Sequence, residues 1–176
     1  MTDPIVAASI AASAALIIAF LTQFLAENYR CFKTGSSIAA GIVGELKSYE
    51  EALPMLRLSL RHASEVATAG RKDEILLRPL EKPVDRYFDE VIGDIGLLGP
   101  ELVEQIIYVY NNLNAFRTAF VQICSEHQKM DATELIARIL LCSQALERAA
   151  SKGVLLEVAL KERYTRRFFR FVRSAT

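Results

Sequence analysis

The sequence predicts an all-α protein: an N-terminal transmembrane helix followed by an antiparallel helical bundle of four or five helices. Three observations carry this. The 23 residues from Pro4 to Ala26, PIVAASIAASAALIIAFLTQFLA, hold no charge, and roughly 20 apolar residues are what a helix needs to cross a bilayer. Beyond them, apolar residues recur at steps of three and four, the spacing that gathers side chains on one helical face. The chain has only 8 glycines and 5 prolines among 176 residues, few for a fold built of many short strands and turns. The implied organisation is a membrane anchor at 1–30, a short linker at 31–36 and a cytoplasmic helical domain at 37–176.

Composition narrows the function classes. Lys and Arg number 21 and Asp and Glu 21, so no global field draws the chain to nucleic acid, which is not an expected partner. About 145 residues follow the anchor, enough to bury one domain core without staples. The cysteines, Cys31, Cys124 and Cys142, are odd in number and far apart. That fits a reducing compartment better than a disulfide framework.

The anchor is expected to span the bilayer from Pro4 and Ile5, through Leu16 and Phe20, to Ala26. A cleaved signal peptide would carry positive charge before the apolar run, whereas this chain opens Met-Thr-Asp. A core helix of a small domain is seldom uncharged for so long. Arg30 and Lys33 follow the span and no basic residue precedes it. The bias of Lys and Arg to the cytoplasmic side then puts the N-terminus outside and the domain in the cytoplasm. Tyr29 and Phe32 take the place of interfacial aromatics. Cys31 reads as an unmodified interfacial thiol. Ala7, Ala11, Ala15 and Ala19 recur every fourth residue, a small-residue face along which two helices can approach closely in lipid.

Thr34-Gly35-Ser36-Ser37 reads as a break with Ser37 as a cap. Ile38, Ile42, Val43, Leu46, Tyr49, Leu53 and Leu56 then come at helical spacing, with Pro54 kinking this helix or ending it at Leu53. A further stretch runs from Met55 to about Ala67. Residues 74–83 contain Pro79 and Pro83 and read as irregular. Pro83 would open a short helix to about Ile92 carrying Val84, Tyr87, Phe88 and Val91. Gly93, Gly96 and Gly99 punctuate a loop whose Ile95, Leu97 and Leu98 turn to the core.

Pro100 opens the best-patterned element, to about residue 127. Leu102, Ile106, Val109, Leu113, Phe116, Phe120 and Ile123 form an unbroken seam, widened by Val103, Ile107 and Tyr110. That width favours the centre of a bundle over a thin coiled-coil strip. Asp131 and Glu134 make a capping box ahead of Leu135, Ile139, Cys142, Leu146 and Ala149. Lys152-Gly153 is read as an end or bend, although Leu156 and Leu160 keep the same phase. The chain closes on KERYTRRFFRFVR, with six basic residues between 161 and 173 against one glutamate. Arg163, Arg166, Arg167, Phe168, Arg170, Phe171 and Arg173 could lie on an anionic membrane surface; the alternative is a terminal helix packed on the bundle.

No catalytic, metal or cofactor site is expected. Cys124 and His127 are three apart and His62 is distant, short of the three or four ligands zinc takes. No serine sits in GxSxG. Gly93, Gly96 and Gly99 lack the lysine and the Ser or Thr of a phosphate loop.

The order of parts resembles small bacterial single-span membrane proteins of uncharacterised function. The likeness lies in the bare N-terminal span, the stretch IAAGIVGELKSY, and the turn and helix DIGLLGPELVEQIIYVYNNL, over residues 5–125. It implies a bacterial inner-membrane protein with a helical cytoplasmic domain and carries over no catalytic residue. The expected function is a non-enzymatic interaction or scaffold protein that associates with itself or a larger membrane complex, through the alanine face, the 100–127 helix or both. A membrane-perturbing protein, holin-like or toxin-like, is the first alternative, and an enzyme without a recognisable motif the second.

Overall fold

A computed structural model describes residues 4–78 and 85–165, the side chains of Ile5 and Ala7 excepted. The described residues are mostly helical, with no strand among them. Five α-helices appear in order: α1 (Pro4–Glu50), α2 (Leu53–Thr68), α3 (Arg86–Val91), α4 (Pro100–Glu126) and α5 (Ala132–Thr165). Two 3-10 turns, Lys72–Glu74 and Ile95–Leu98, interrupt the connections.

The expected break at 34–37 and the linker at 31–36 are overturned, because α1 runs unbroken through both. Its apolar N-terminal part has the length and composition to cross a membrane and packs against no other described part of the chain. From Phe32 onward the same helix enters the core, burying Gly35, Ile38, Ala39, Ile42, Val43 and Leu46. Ser36 and Ser37 do not cap: their hydroxyls donate back to the Phe32 and Lys33 carbonyls at 2.8 and 3.2 Å. Gly35 is a notch instead of a hinge. A Cβ there would stand 3.0 Å from Arg163 Nη2 and 3.1 Å from the Leu97 carbonyl oxygen. A helical glycine costs about 1 kcal/mol, less than burying even one large apolar side chain beyond it contributes.

Pro54 ends α1 at Glu50, three residues before the expected Leu53. A proline ring collides with the carbonyl four residues back, which here belongs to Glu50. Pro54 then falls in the first turn of α2, where its missing N–H is harmless.

Two apolar cores are stacked along α4 and α5. One gathers Ile38, Ile42 and Leu46 of α1 with Phe88, Ile95, Leu98, Ile106, Val109, Leu156 and Leu160. The other gathers Leu56, Leu60 and Val66 of α2 with Phe116, Phe120, Ile123, Leu135, Ile139 and Leu146. The seam read on α4 is thus used inside the chain. Asp131 caps α5 as expected, its Oδ1 accepting from the Glu134 N–H at 2.8 Å. The Glu134 carboxylate reaches forward to Arg138 instead of back.

The expected end or bend at Gly153 is also overturned, since α5 continues to Thr165. Leu156 and Leu160 are completely buried, each worth about 1.5–3 kcal/mol. Together they outweigh the glycine by several-fold.

Candidate functional site

The functional geometry is organised on α1, because one helix is both the apolar rod and the spine of the domain. Three polar ties fasten its buried half to later parts of the chain. The first joins α1 to α3 and α4. Glu45 accepts from the Tyr87 and Phe88 N–H groups at 3.1 and 3.2 Å. These are donors of the first turn of α3, which has no side-chain cap of its own; a carboxylate supplied by α1 satisfies them and suits the positive end of the helix. The same carboxylate accepts from the Tyr110 hydroxyl at 2.6 Å.

Asp85, at the cap position of α3, turns the other way. Its Oδ1 accepts from the Tyr49 hydroxyl at 2.6 Å and Arg117 Nη2 at 2.8 Å, and its Oδ2 from Arg117 Nη1. The side chains of Arg117 and Asp85 keep only 12% and 7% of their exposure, so this is a desolvated, bidentate pair. The Arg117 guanidinium also lies over the Tyr49 ring, and Phe88 stacks on Tyr110 at 3.8 Å between centroids. Burial, then the bond to Glu45, pushes the Tyr110 phenol well above its ordinary range. Burial and then Asp85 do the same for Tyr49. All four carboxylate oxygens are engaged within the chain. The cluster therefore acts as a latch that fixes α3 across α1 and α4. Tyr87 completes it: its ring lies where a Cβ of Gly41 would be, and its hydroxyl donates to the Ser37 carbonyl at 3.0 Å.

The second tie is Glu157 on α5, which pairs with Lys161 and with Lys47 of α1 at 3.6 Å. Lys161, more than Lys47, holds the Glu157 carboxyl below its usual range. The third tie involves Arg163. Expected on a lipid-facing tail, Arg163 is instead 5% exposed. Its guanidinium lies 5.0 Å from the Phe32 ring centroid, and Nη2 donates to the Leu97 carbonyl at 3.3 Å. The correction extends to Phe32, which is buried under Arg163 and is not an open interfacial aromatic. Burial is tolerated here because the guanidinium meets an aromatic face and a carbonyl at the end of a 3-10 turn. Arg166, Arg167, Phe168, Arg170, Phe171 and Arg173 lie outside the described residues.

Along the rod, Pro4, Leu16, Phe20 and Ala26 are all exposed, as are Ala11, Ala15 and Ala19 of the small-residue face; Ile5 and Ala7 fall among the undescribed side chains. Exposure is uniform around the helix, so the fold itself favours no face for pairing. Two hydroxyls of the rod turn inward to its own backbone. Ser13 donates to the Ser9 carbonyl at 2.9 Å, and Thr22 to that of Ile18 at 2.8 Å. Such back-bonding leaves less polarity unsatisfied in a hydrocarbon setting.

Among the described residues no three His, Cys, Asp or Glu side chains come together as a metal would need. His127 Nδ1 lies 3.0 Å from the Ile123 carbonyl, and Cys142 is buried, its thiol pushed up to about 12 by burial. Tyr49 borders a small apolar slot with Leu46, Leu53, Val109 and Gly153.

Sequence reasoning missed the latch. Glu45 stood unremarked within an apolar face, and Asp85 and Arg117 are 32 residues apart. The available signal was Tyr49 and Tyr110 at core positions, because a buried phenol needs a hydrogen-bond partner. No family model, curated protein or solved structure matches the chain.

Proposed function

We propose that the chain is a membrane-anchored, non-enzymatic interaction protein that associates with itself or with a larger membrane complex through its lipid-embedded helix. The N-terminus lies outside, and the domain, an antiparallel helical bundle, stands at the cytoplasmic face. The observation that supports this is the division of α1. Its apolar part touches no other described part of the chain, while the part from Phe32 on is the core spine. A rod of 23 uncharged residues measures about 35 Å, enough for a hydrocarbon core of about 30 Å. The α4 seam, once a second candidate surface, is buried against α1, α2 and α5, which supports association through the span, with its alanine face as the element to test.

The test is mass determination of the full chain extracted in mild detergent, with identification of co-purifying chains. A dimer, a higher oligomer or a stoichiometric complex agrees with the reading. Replacing Ala11, Ala15 and Ala19 together by leucine should reduce it to the monomer. A homogeneous monomer from the unaltered chain contradicts the association reading.

A further inference from the structure

Arg57, Arg61 and Ser64 follow one another at steps of four and three along α2, and Ser143 and Glu147 are four apart on α5. Each set therefore gathers on one helical face. The fold brings the two faces together as the walls of an open groove of about 290 Å³. Its floor is apolar, made of the buried Leu60 and Leu146. Arg57 is fixed in place: its Nε and Nη2 donate to the two carboxylate oxygens of Glu147 at 2.6 and 2.7 Å. An ion pair this exposed adds little to stability. It does orient the Arg57 guanidinium along the groove and balances the one negative charge there.

The other groups are uncommitted. Among the described residues nothing pairs with Arg61, although Glu65 lies one helical turn away, where such a pair commonly forms. The half-buried Ser64 and Ser143 hydroxyls make no hydrogen bond there either. Ser59 and Ser125, by contrast, donate to the carbonyls four residues back. The groove thus holds one unbalanced positive charge and two free hydroxyls over an apolar floor. A guanidinium fork matches the oxygens of a phosphate group. Hydroxyls can donate to the oxygens it leaves over, and a floor of low dielectric strengthens the attraction.

From this arrangement we infer that the groove between α2 and α5 binds a small soluble phosphate compound, inorganic phosphate or a phosphomonoester. Arg61 is its charge partner, Ser64 and Ser143 are donors to it, and Glu147 positions Arg57 beside it. Ligand pockets commonly measure about 300–1,000 Å³, so a volume at the lower edge suits a phosphate group with a short organic remainder. Lipid phosphate is the other source of the same chemistry, and the path of α5 argues against it. Arg163 sits over Phe32, at the rod end of the domain. Glu147 precedes Arg163 by sixteen residues, about 24 Å of helix rise. The groove therefore stands away from the bilayer, a step that rests on the anchor reading above.

The test is calorimetric titration of the full chain in mild detergent with inorganic phosphate and with glycerol 3-phosphate, against chloride at matched ionic strength. The expected result is one saturable site per chain for the phosphate compounds and none for chloride. Arg61→Gln should weaken binding about tenfold or more, and Ser64→Ala with Ser143→Ala several-fold, with the melting transition of the unliganded chain unmoved. Arg86→Gln, which removes an exposed arginine on α3, should bind as the unaltered chain does. No saturable binding overturns the inference, as does an Arg61→Gln chain that binds unchanged or loses no more than Arg86→Gln. In vesicles, phosphatidylglycerol should leave the affinity as it is in phosphatidylcholine; competition from it would make lipid headgroups the ligand and overturn the assignment to a soluble one. Flotation after an alkaline wash reads the anchor separately: a chain that fails to float sinks the anchor reading, while the detergent titration alone decides the groove.

Discussion

Replacing Asp85 by Asn removes the charge at the centre of the latch while keeping its shape. In the native fold Asp85 accepts two bonds from Arg117 and one from Tyr49, with both ionic side chains nearly out of solvent. The asparagine oxygen can keep one acceptor role, but its amide nitrogen faces a guanidinium. Arg117 is left as a buried cation without a counter-charge, the case in which removing one partner costs about 3–5 kcal/mol. Partial relaxation toward water puts the expected loss near 3 kcal/mol, since Arg117 keeps 12% of its side-chain exposure. For a chain of this length that lowers the melting temperature by about 6–12 °C. Circular dichroism of the full chain in mild detergent reads the shift. Hydrogen exchange should show early opening at 85–98, the segment the latch holds. Asp85→Asn with Arg117→Met removes both charges and should recover most of the loss. A single variant within about 0.5 kcal/mol of the unaltered chain would refute the latch, and so would a double variant as damaged as the sum of its singles.

Three further perturbations probe α1 and its ties. Gly41→Val should free α3, because its Cβ overlaps the Tyr87 ring, whereas Gly44→Ala meets nothing within 4 Å and should stabilise by about 1 kcal/mol; equal effects in thermal unfolding would contradict the docking of Tyr87. Tyr49 and Tyr110 have phenols raised above their ordinary range in the fold. Their contribution is fully present below about pH 10, the unfolded value, and is lost as pH climbs through the folded values. Tyr110→Phe should therefore flatten the alkaline fall in stability, and an unchanged slope would count against the Glu45 bond. Spin labels at Thr22 and Ser48, in a background without the native cysteines, should lie about 39 Å apart with a narrow distribution in bilayers. A short, broad distribution would mean that α1 bends at 34–37.

Much of this fold was legible because periodicity reports burial directly. The α4 seam and its start at Pro100, the Asp131 cap, and Ile95 and Leu98 turned inward all come from local pattern. The two misplaced glycine breaks share one cause. Gly35 and Gly153 look like breaks when a helix is weighed by its own propensities, yet both are overruled by tertiary packing. At Gly35 the deciding neighbours are Leu97 and Arg163; at Gly153 they are the fully buried Leu156 and Leu160. Arg163 was misplaced for the same reason, since nothing near it in sequence announces Phe32. The latch was invisible because it pairs residues from three separate helices or their caps. The small-residue face differs again: no described residue packs on it, and spacing alone names no partner.

The central claim is that the apolar part of α1 is an anchor distinct from the domain built on its remainder. Deleting residues 2–30 tests it most directly, because Phe32 is the first residue of the core. The full chain should stay with membranes through an alkaline carbonate wash, and the shortened chain should be released in soluble form with its helical content and melting transition kept. A full chain stripped by carbonate, or a shortened one that unfolds, would contradict the claim.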